Sequence, residues 1–306
     1  MDEEFKHYTV MKNEAVEALE PKDGLIYIDG TLGGGGHSEL IAKKILPTGK
    51  LISFDIDDVA ISFAKNRLKT YTNVTIVKRG YQEFDEVLKE LNIEKITGGI
   101  LLDLGASYYQ LTSKTRGFSF SNDAKLDMRF DIKQKFSAYD LINTYSEEEL
   151  ANVFYYYGEE RYSRRLAKNI INARTLKKIE TTSELCEIIK KSLPYKNSRI
   201  NPATRIFQAI RIEVNGELRN VENTLKKVVP FLAKDAKIVV ITFHSLEDRI
   251  VKKIFKELSS EKSLPQGGHE EKFLELVNKK PIYPSDEEIK ENPPSRSAKL
   301  RVAKKV

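Results

Sequence analysis

Four short, nearly continuous apolar runs mark the first third of the chain: LIYID (25–29), LISFD (51–55), VTIV (74–77) and GILLDLG (99–105). None alternates as a strand with one wet face would, so each predicts a strand buried on both faces of a parallel sheet. Helix-period patterns lie between them, at roughly 38–46, 57–69 and 82–91. That alternation predicts a doubly wound α/β sheet. The rhythm then breaks. From 115 to 229 no comparable run occurs, and SEEELANVFYYYG, RRLAKNIINARTL, TTSELCEIIKKSL and RIFQAIRIEVNGEL read as helices. KIVVITF (237–243) restores the sheet signal, a helix follows at about 246–258, and SAKLRV (297–302) predicts a last strand. The pattern divides the chain into a sheet domain, 1–114 with 230–306, and an inserted helical domain, 115–229.

A length of 306 residues suits one main domain carrying an insertion. With 40% hydrophobic and 31% charged residues the chain can fill a globular core. No apolar run is long enough to span a membrane, and the acidic N-terminus, MDEEFKHYTV, has no signal-peptide pattern, so a cytoplasmic protein is expected. The single cysteine, Cys186, excludes an internal disulfide, and His7, His37, His244 and His269 are too scattered to predict a metal site. The formal net charge of +6 is unevenly placed. Between Tyr155 and Arg219 stand 14 lysines and arginines against 7 acids, which leaves the rest of the chain at about −1. A basic segment against a neutral remainder suggests a surface for a polyanion.

The stretch IDGTLGGGGHS (28–38) links the first strand to the next helix. Glycines there permit a tight turn and close approach of a ligand to backbone N–H groups at a helix N-terminus. Asp55 ends the second strand, 20 residues after Gly35, where an acid can accept hydrogen bonds from ribose hydroxyls. The pattern is D-x-T-x-G-x-G (Asp29, Thr31, Gly33, Gly35), not the G-x-G-x-x-G of a dinucleotide site, and no G-K-[ST] closes it as a Walker loop. Asp29 would repel a pyrophosphate and tolerate a cationic, phosphate-free nucleoside such as S-adenosylmethionine. Asp103 ends the fourth strand, so Asp29, Asp55 and Asp103 should share the rim where ligands of such sheets lie.

IDGTLGGGGHS, DLGASYYQL, RGFSFSND, LDMRFD, NTYSEEELA, YGEERYSRRLA, NPATRIFQAIRIEVNGEL, ITFHSLEDRIVK and ENPPSRSAKLRVAKK together resemble one family. It is the bacterial ribosomal RNA small-subunit methyltransferase H family, also called RsmH or MraW, and the resemblance runs from His7 to the last lysines. It implies a class I S-adenosylmethionine-dependent methyltransferase with an inserted helical domain. The implied reaction is methylation of the exocyclic N4 of a cytidine in the decoding region of 16S rRNA, free or within the assembled small subunit, and a homodimer is plausible by the same resemblance. The family's cofactor contacts fall on Gly35, Gly36, His37, Asp55, Phe84, Asp103 and Gln110. The chain departs from the family's usual DLGVSSPQLD at Ala106, Tyr108, Tyr109 and Thr112, but keeps Ser107 and Gln110.

For the chemistry, Asp103, or a backbone carbonyl of the 104–107 turn, is the candidate acceptor for an N–H of the amine. Arg164 and Arg165, with Arg161 and Lys168, are candidate phosphate contacts. Thr204, Gln208, Arg211 and Asn215 fall on one helical face, and with Arg205 beside them Gln208 and Arg211 are candidate substrate contacts, with a surface face or an interdomain hydrogen-bond network an equal alternative. Tyr155 to Tyr157 could stack on bases, with core packing favoured. Arg116 and Arg129 are expected to fix their loop by pairing with Asp127 or Asp123. Ser245 with Asp248 fits a capping box rather than a hydrolase triad, and His244 could face the cleft. Two other functions compete with the methyltransferase. A nicotinamide oxidoreductase lacks its fingerprint here, and a non-catalytic RNA-binding assembly factor draws support only from the altered SYYQL loop.

Overall fold

The structure, a computed structural model, describes residues 8–194, 201–263, 269–270 and 272–306. His7 lies outside them, as does the side chain of His269. The chain forms two compact units, one of residues 1–105 and 218–306 and the other of 106–217.

In the first unit the order is α1 (Lys12–Leu19), β1 (Ile26–Asp29), α2 (Gly36–Lys44), β2 (Lys50–Asp55), α3 (Asp58–Leu68), β3 (Val74–Lys78), α4 (Phe84–Glu90) and β4 (Gly99–Asp103). In the second it is α5 (Tyr108–Thr112), α6 (Ala138–Thr144), α7 (Glu147–Tyr156), α8 (Ser163–Leu176), α9 (Thr182–Ser192) and α10 (Ala203–Asn215). At the boundary α11 (Glu217–Val228) leads back to the first unit, which continues with β5 (Lys237–Thr242), α12 (Ser245–Leu258), the short hairpin of β6 (Lys262–Ser263) and β7 (His269–Glu270), β8 (Leu274–Leu276), α13 (Asp286–Glu291) and β9 (Lys299–Lys305).

Seven strands make one sheet in the order β3-β2-β1-β4-β5-β9-β8. The first five are mutually parallel, while β9 runs antiparallel to both its neighbours. This is the doubly wound sheet that the apolar runs predicted, extended by antiparallel strands at one edge. Side chains of a strand point alternately to its two faces, and the four central strands are apolar on both. Ile28, Ile52, Ile100, Leu102, Ile238 and Val240 join a core with α4, α11 and α12. Tyr27, Leu51, Leu101, Val239 and Ile241, one position away, join another with α1 and α2. The order of connections reverses at β1 and β4, which sit side by side, so the crevice outside their carboxyl ends is the natural ligand position.

The helical unit has its own core, built on Leu141, Leu150, Phe154, Leu166, Ile170, Leu185, Ile206 and Ile210. Its helices announce themselves locally. Ser137 with Asp140, Ser146 with Glu149 and Thr181 with Glu184 close capping boxes at α6, α7 and α9, each serving backbone donors that would otherwise lack partners. The unit runs 106–217 rather than the expected 115–229. Both shifts follow from packing: Ala106 and Leu111 lie against the helical core, whereas Val221, Leu225 and Val228 of α11 belong to the sheet core.

Candidate functional site

Asp29, Asp55 and Asp103 are the last residues of β1, β2 and β4, and so share the carboxyl rim. Their roles differ. Asp29 is fully buried. Its Oδ2 accepts the Ser38 hydroxyl at 2.6 Å, Ser38 meets Ser53 at 2.8 Å, and its Oδ1 accepts the Thr31 N–H at 3.1 Å. Asp29 thus braces the glycine turn against α2. Asp55 accepts the Gly33 N–H at 2.8 Å and the Asp57 N–H at 2.9 Å, one on each carboxylate oxygen. Each oxygen keeps a second lone pair for a ligand hydroxyl. Burial pushes both carboxyls up to about 6, against the lowering effect of these hydrogen bonds.

The glycine turn is shaped by close contacts. Gly35 precedes α2 at φ 76°, a left-handed conformation that costs any other L-residue. A Cβ at Gly36 would stand 1.9 Å from Thr9 Oγ1, so the segment before α1 lies directly on the turn. No side chain caps α2, and Arg67 donates to the Gly34 carbonyl at 2.8 Å from the outside of the turn. Beside it an open pocket of about 450 Å³ is lined by Thr9, Lys12, Arg67, Glu288 and Glu291, among others.

Asp103 is the chemically exposed member. Its backbone N–H donates to Thr31 Oγ1 at 2.7 Å, which ties β4 to the turn. Its Oδ2 stands 3.9 Å from Nδ1 of the buried His37, too far for a hydrogen bond. Its Oδ1 is buried with no hydrogen-bond partner among the described residues. Burial, then the charges of Asp29, Glu247 and Glu288, hold its carboxyl well above the usual carboxylate range. A rim with three acids, an orphaned carboxylate oxygen and no anion-binding lysine or arginine on the turn's inner side fits a ligand that brings positive charge and N–H or O–H donors. S-adenosylmethionine has that chemistry; a pyrophosphate does not.

The remaining expected positions distribute as follows. Phe84 is fully buried, edge-on to Phe231 at 5.3 Å, and supports the rim from the sheet core. Gln110 lies in the helical unit, where its side chain accepts the Ser107 N–H at 2.9 Å and completes the α5 capping box. The altered loop therefore keeps its cap, with Tyr108 turned to solvent. His244, not Ser245, caps α12: its backbone is extended, Glu247 accepts the N–H groups of Phe243 and His244 at 2.8 and 3.3 Å, and the His244 ring faces Glu247 at 3.1 Å. The sequence reading missed the buried polar residues Ser38, at the end of the motif, and Glu247, three residues into α12, where only its N3 position hinted at a role.

In the helical unit Asp127 and Arg129 form a two-pronged pair at 2.8 and 2.7 Å, and Arg116 donates to the carbonyls of Arg129 and Phe130, as a loop-fixing role requires. Arg211 corrects an expectation. Its guanidinium is held by Glu217 at 2.9 and 3.0 Å, with both side chains largely buried, and Asn215 of the same face binds Phe130 N–H and the Met128 carbonyl. That part of the face is a structural network. Gln208 is half-buried, while Arg205, Arg164 and Arg165 are exposed. Tyr155 and Tyr156 are 55% and 63% exposed, against the expected core packing; only Tyr157 leans on the core. The inward stripe of α7 is Leu150, Val153 and Phe154, and the two tyrosines follow it off the helix end. Among the described residues no cluster of histidine, cysteine and acids is placed to hold a metal, and no helix is long and apolar enough to cross a membrane.

Comparison with known proteins agrees with this geometry. The model of the MraW methylase family matches residues 4–306. Proteins named "Ribosomal RNA small subunit methyltransferase H" are similar along the whole chain. One from Clostridium botulinum strain Loch Maree is 49% identical over 309 residues, covering 99% of this chain and all of the relative. One from Sulfurihydrogenibium is 49% identical over 304 residues, covering 98% and 99%. One from Clostridioides difficile is 46% identical over 312 residues, covering 99% and 100%. A methylase on this sheet takes its methyl group from S-adenosylmethionine. The chain belongs to the MraW methylase family.

Proposed function

We propose that the protein methylates small-subunit ribosomal RNA, at the exocyclic N4 of a cytidine in the decoding region of 16S rRNA. The observation that carries the reading is the orphaned Oδ1 of Asp103 at the β1–β4 crevice. The names borne by the relatives support the class of substrate. S-adenosylmethionine supplies, when bound, a methyl group already activated on a sulfonium, so the protein's task is chiefly positioning and exclusion of water. Gly35, Gly36 and His37 form the turn on which it would lie, and Asp55 would take its ribose hydroxyls. The cytosine amine is a weak nucleophile, because its lone pair is delocalised into the ring. A hydrogen bond from one N–H to Asp103 Oδ1 raises electron density on nitrogen and orients it. Transfer of the methyl group to nitrogen would break its bond to sulfur and leave a neutral thioether; the nitrogen, now positive, would lose that proton, and a carboxyl whose basicity is raised by burial and neighbouring acids is suited to take it. Arg164, Arg165 and Arg205 are the exposed cations proposed for the RNA, and Arg211 is assigned to structure.

The test is nucleoside mass spectrometry of small-subunit rRNA lacking its native methylations, after incubation with the protein and S-adenosylmethionine. Free rRNA and assembled subunits are compared. N4-methylcytidine in either is the expected result. Cofactor binding without any new methylated nucleoside would sink the reading and favour an assembly factor.

A further inference from the structure

The turn joining α7 to α8 carries a surface whose charges the protein does not itself use. Arg161, Arg164, Arg165 and Lys168 are all exposed, and their spacing puts them on one side of α8 and the turn before it. None of the four makes an ion pair or hydrogen bond with a described residue, although lysines and arginines elsewhere in the chain do so repeatedly. Their position is unfavourable for the helix. The N-terminal turn of a helix is its positive end and prefers acids, yet α8 has no acid there and no side-chain cap. The acids of the turn do not compensate. Glu160 is buried and accepts the Tyr162 N–H at 2.8 Å, and the two acids of the turn are outnumbered by its four cations.

Beside these cations stand Tyr155 and Tyr156. Their rings are 5.2 Å apart and nearly perpendicular, so they present surfaces in two directions to solvent. Both rings are more than half exposed, so most of each is open to a partner. Arg205 adds a further exposed cation nearby, because Gly158 of the same turn packs so closely on α10 that a Cβ there would stand 3.3 Å from the Arg205 carbonyl.

We propose that the end of the α7–α8 hairpin is a docking surface for single-stranded RNA, on which the four cations hold successive phosphates and Tyr155 and Tyr156 stack on unpaired bases. The proposal rests on the RNA-methylating reading above and deepens it: the RNA is gripped as a single strand at nucleotides other than the one methylated. Phosphate contacts alone would serve a duplex equally well. Exposed aromatic rings serve only bases that are splayed out, since the bases of an A-form duplex are stacked on one another.

The test uses the full-length protein, with a labelled single-stranded RNA oligonucleotide and the duplex of the same sequence as probes. Anisotropy is measured across a salt series. Three double variants are compared: Tyr155→Ala with Tyr156→Ala, Tyr155→Phe with Tyr156→Phe, and Arg164→Ala with Arg165→Ala. Melting temperature and calorimetric S-adenosylmethionine binding report that fold and cofactor site are intact, as expected for exposed positions. The wild type should prefer the single strand. The alanine pair should weaken single-strand binding about tenfold or more with little change in salt dependence, and the phenylalanine pair should bind as the wild type. The arginine pair should weaken both probes and reduce the log–log salt slope by about 1 to 1.4. Tyrosine variants that bind like the wild type would overturn the stacking surface. So would wild-type protein that binds assembled subunits through these arginines but no free RNA, which would assign the surface to a protein. If none of the variants changes RNA binding while N4-methylcytidine still forms, the surface is wrong and the proposed reaction stands. Single-strand binding as described without any methyl transfer would support the surface and sink the reaction.

Discussion

The sheet unit and the helical unit treat charge in opposite ways. At the strand ends Asp29, Asp55 and Asp103 are gathered with no lysine or arginine paired to them among the described residues, and burial pushes Asp29 and Asp55 up to about 6. On the α7–α8 turn, four cations are gathered in solvent without ion pairs among the described residues. Between these extremes lie closed arrangements such as Asp127–Arg129 and Arg211–Glu217, in which the protein supplies both signs. The difference separates scaffold from site. Where the chain completes its own charge pairs it is fixing a loop or a helix junction. Where it leaves one sign unanswered, the missing sign would match a ligand: a sulfonium at the strand ends and, under the docking proposal, the phosphates of RNA on the helices.

The sharpest way to break this comparison is at Asp103. Asp103→Asn keeps the shape and removes the proton-accepting oxygen, and methyl transfer should fall by about 100-fold or more. Cofactor affinity measured by calorimetry should change far less. Full activity in that variant would remove the unpaired acid from the chemistry. The next largest effect belongs to a closed pair. Arg211→Ala leaves a largely buried Glu217 without its partner and should cost about 3 kcal/mol in urea unfolding, with RNA binding in the surviving folded protein almost unchanged. A strong, specific loss of RNA affinity would instead return Arg211 to the site.

The pH dependence tests the open cluster. The folded Asp29 carboxyl holds its proton more tightly than an unfolded one, at about 6 against 3.8. Its contribution to stability is therefore complete at low pH and is lost as pH rises from about 4 through about 6, by about 3 kcal/mol. The slope of stability against pH in this window should be shallower in Asp29→Asn than in the wild type, both without cofactor. Equal slopes would show that burial does not control this carboxyl. The smallest effect is a control on scaffold. Ser146→Ala removes the α7 cap and should lower stability by about 1 kcal/mol without touching cofactor or RNA binding.

Much of this was legible because local and global signals agree. Strands β1, β2, β4 and β5 are apolar on both faces because both faces are covered, and continuous apolar runs say so directly. Helices α7 and α9 open with Ser or Thr followed three residues later by Glu, which is visible in any reading. Other elements carry no such mark. α1 starts from Met11 in a left-handed conformation with no cap, and its eight residues show too few turns of apolar periodicity to stand out. β8 has three residues and exists because β9 offers it an edge. In the site, the strand-end acids were legible from their place in the chain, but the division of labour among them was not. That Asp29 is spent on Ser38 and Thr31 while Asp103 keeps an oxygen free depends on three side chains meeting across different loops. Arg211 and the tyrosines failed in complementary ways. A polar face that spacing leaves open between contact surface and internal network has half of it tied inward, and aromatic rings expected in the core lie off the apolar stripe of their helix.

The place of β9 has a consequence for how the molecule comes into being. Its residues, 299–305, are the last strand in the chain, yet they lie inside the sheet, paired along all of β5 on one side and with β8 on the other. The helical unit is one uninterrupted segment, 106–217, whose contacts are all available once that segment has been made. The sheet unit is split in sequence, and its order is completed only by the final residues. A nascent chain can therefore settle its helical unit while the sheet remains open beyond β5. The sheet is finished late, when the antiparallel strand pairs with β5 and β8, and pairing across so long a separation makes that step slow relative to the local helices.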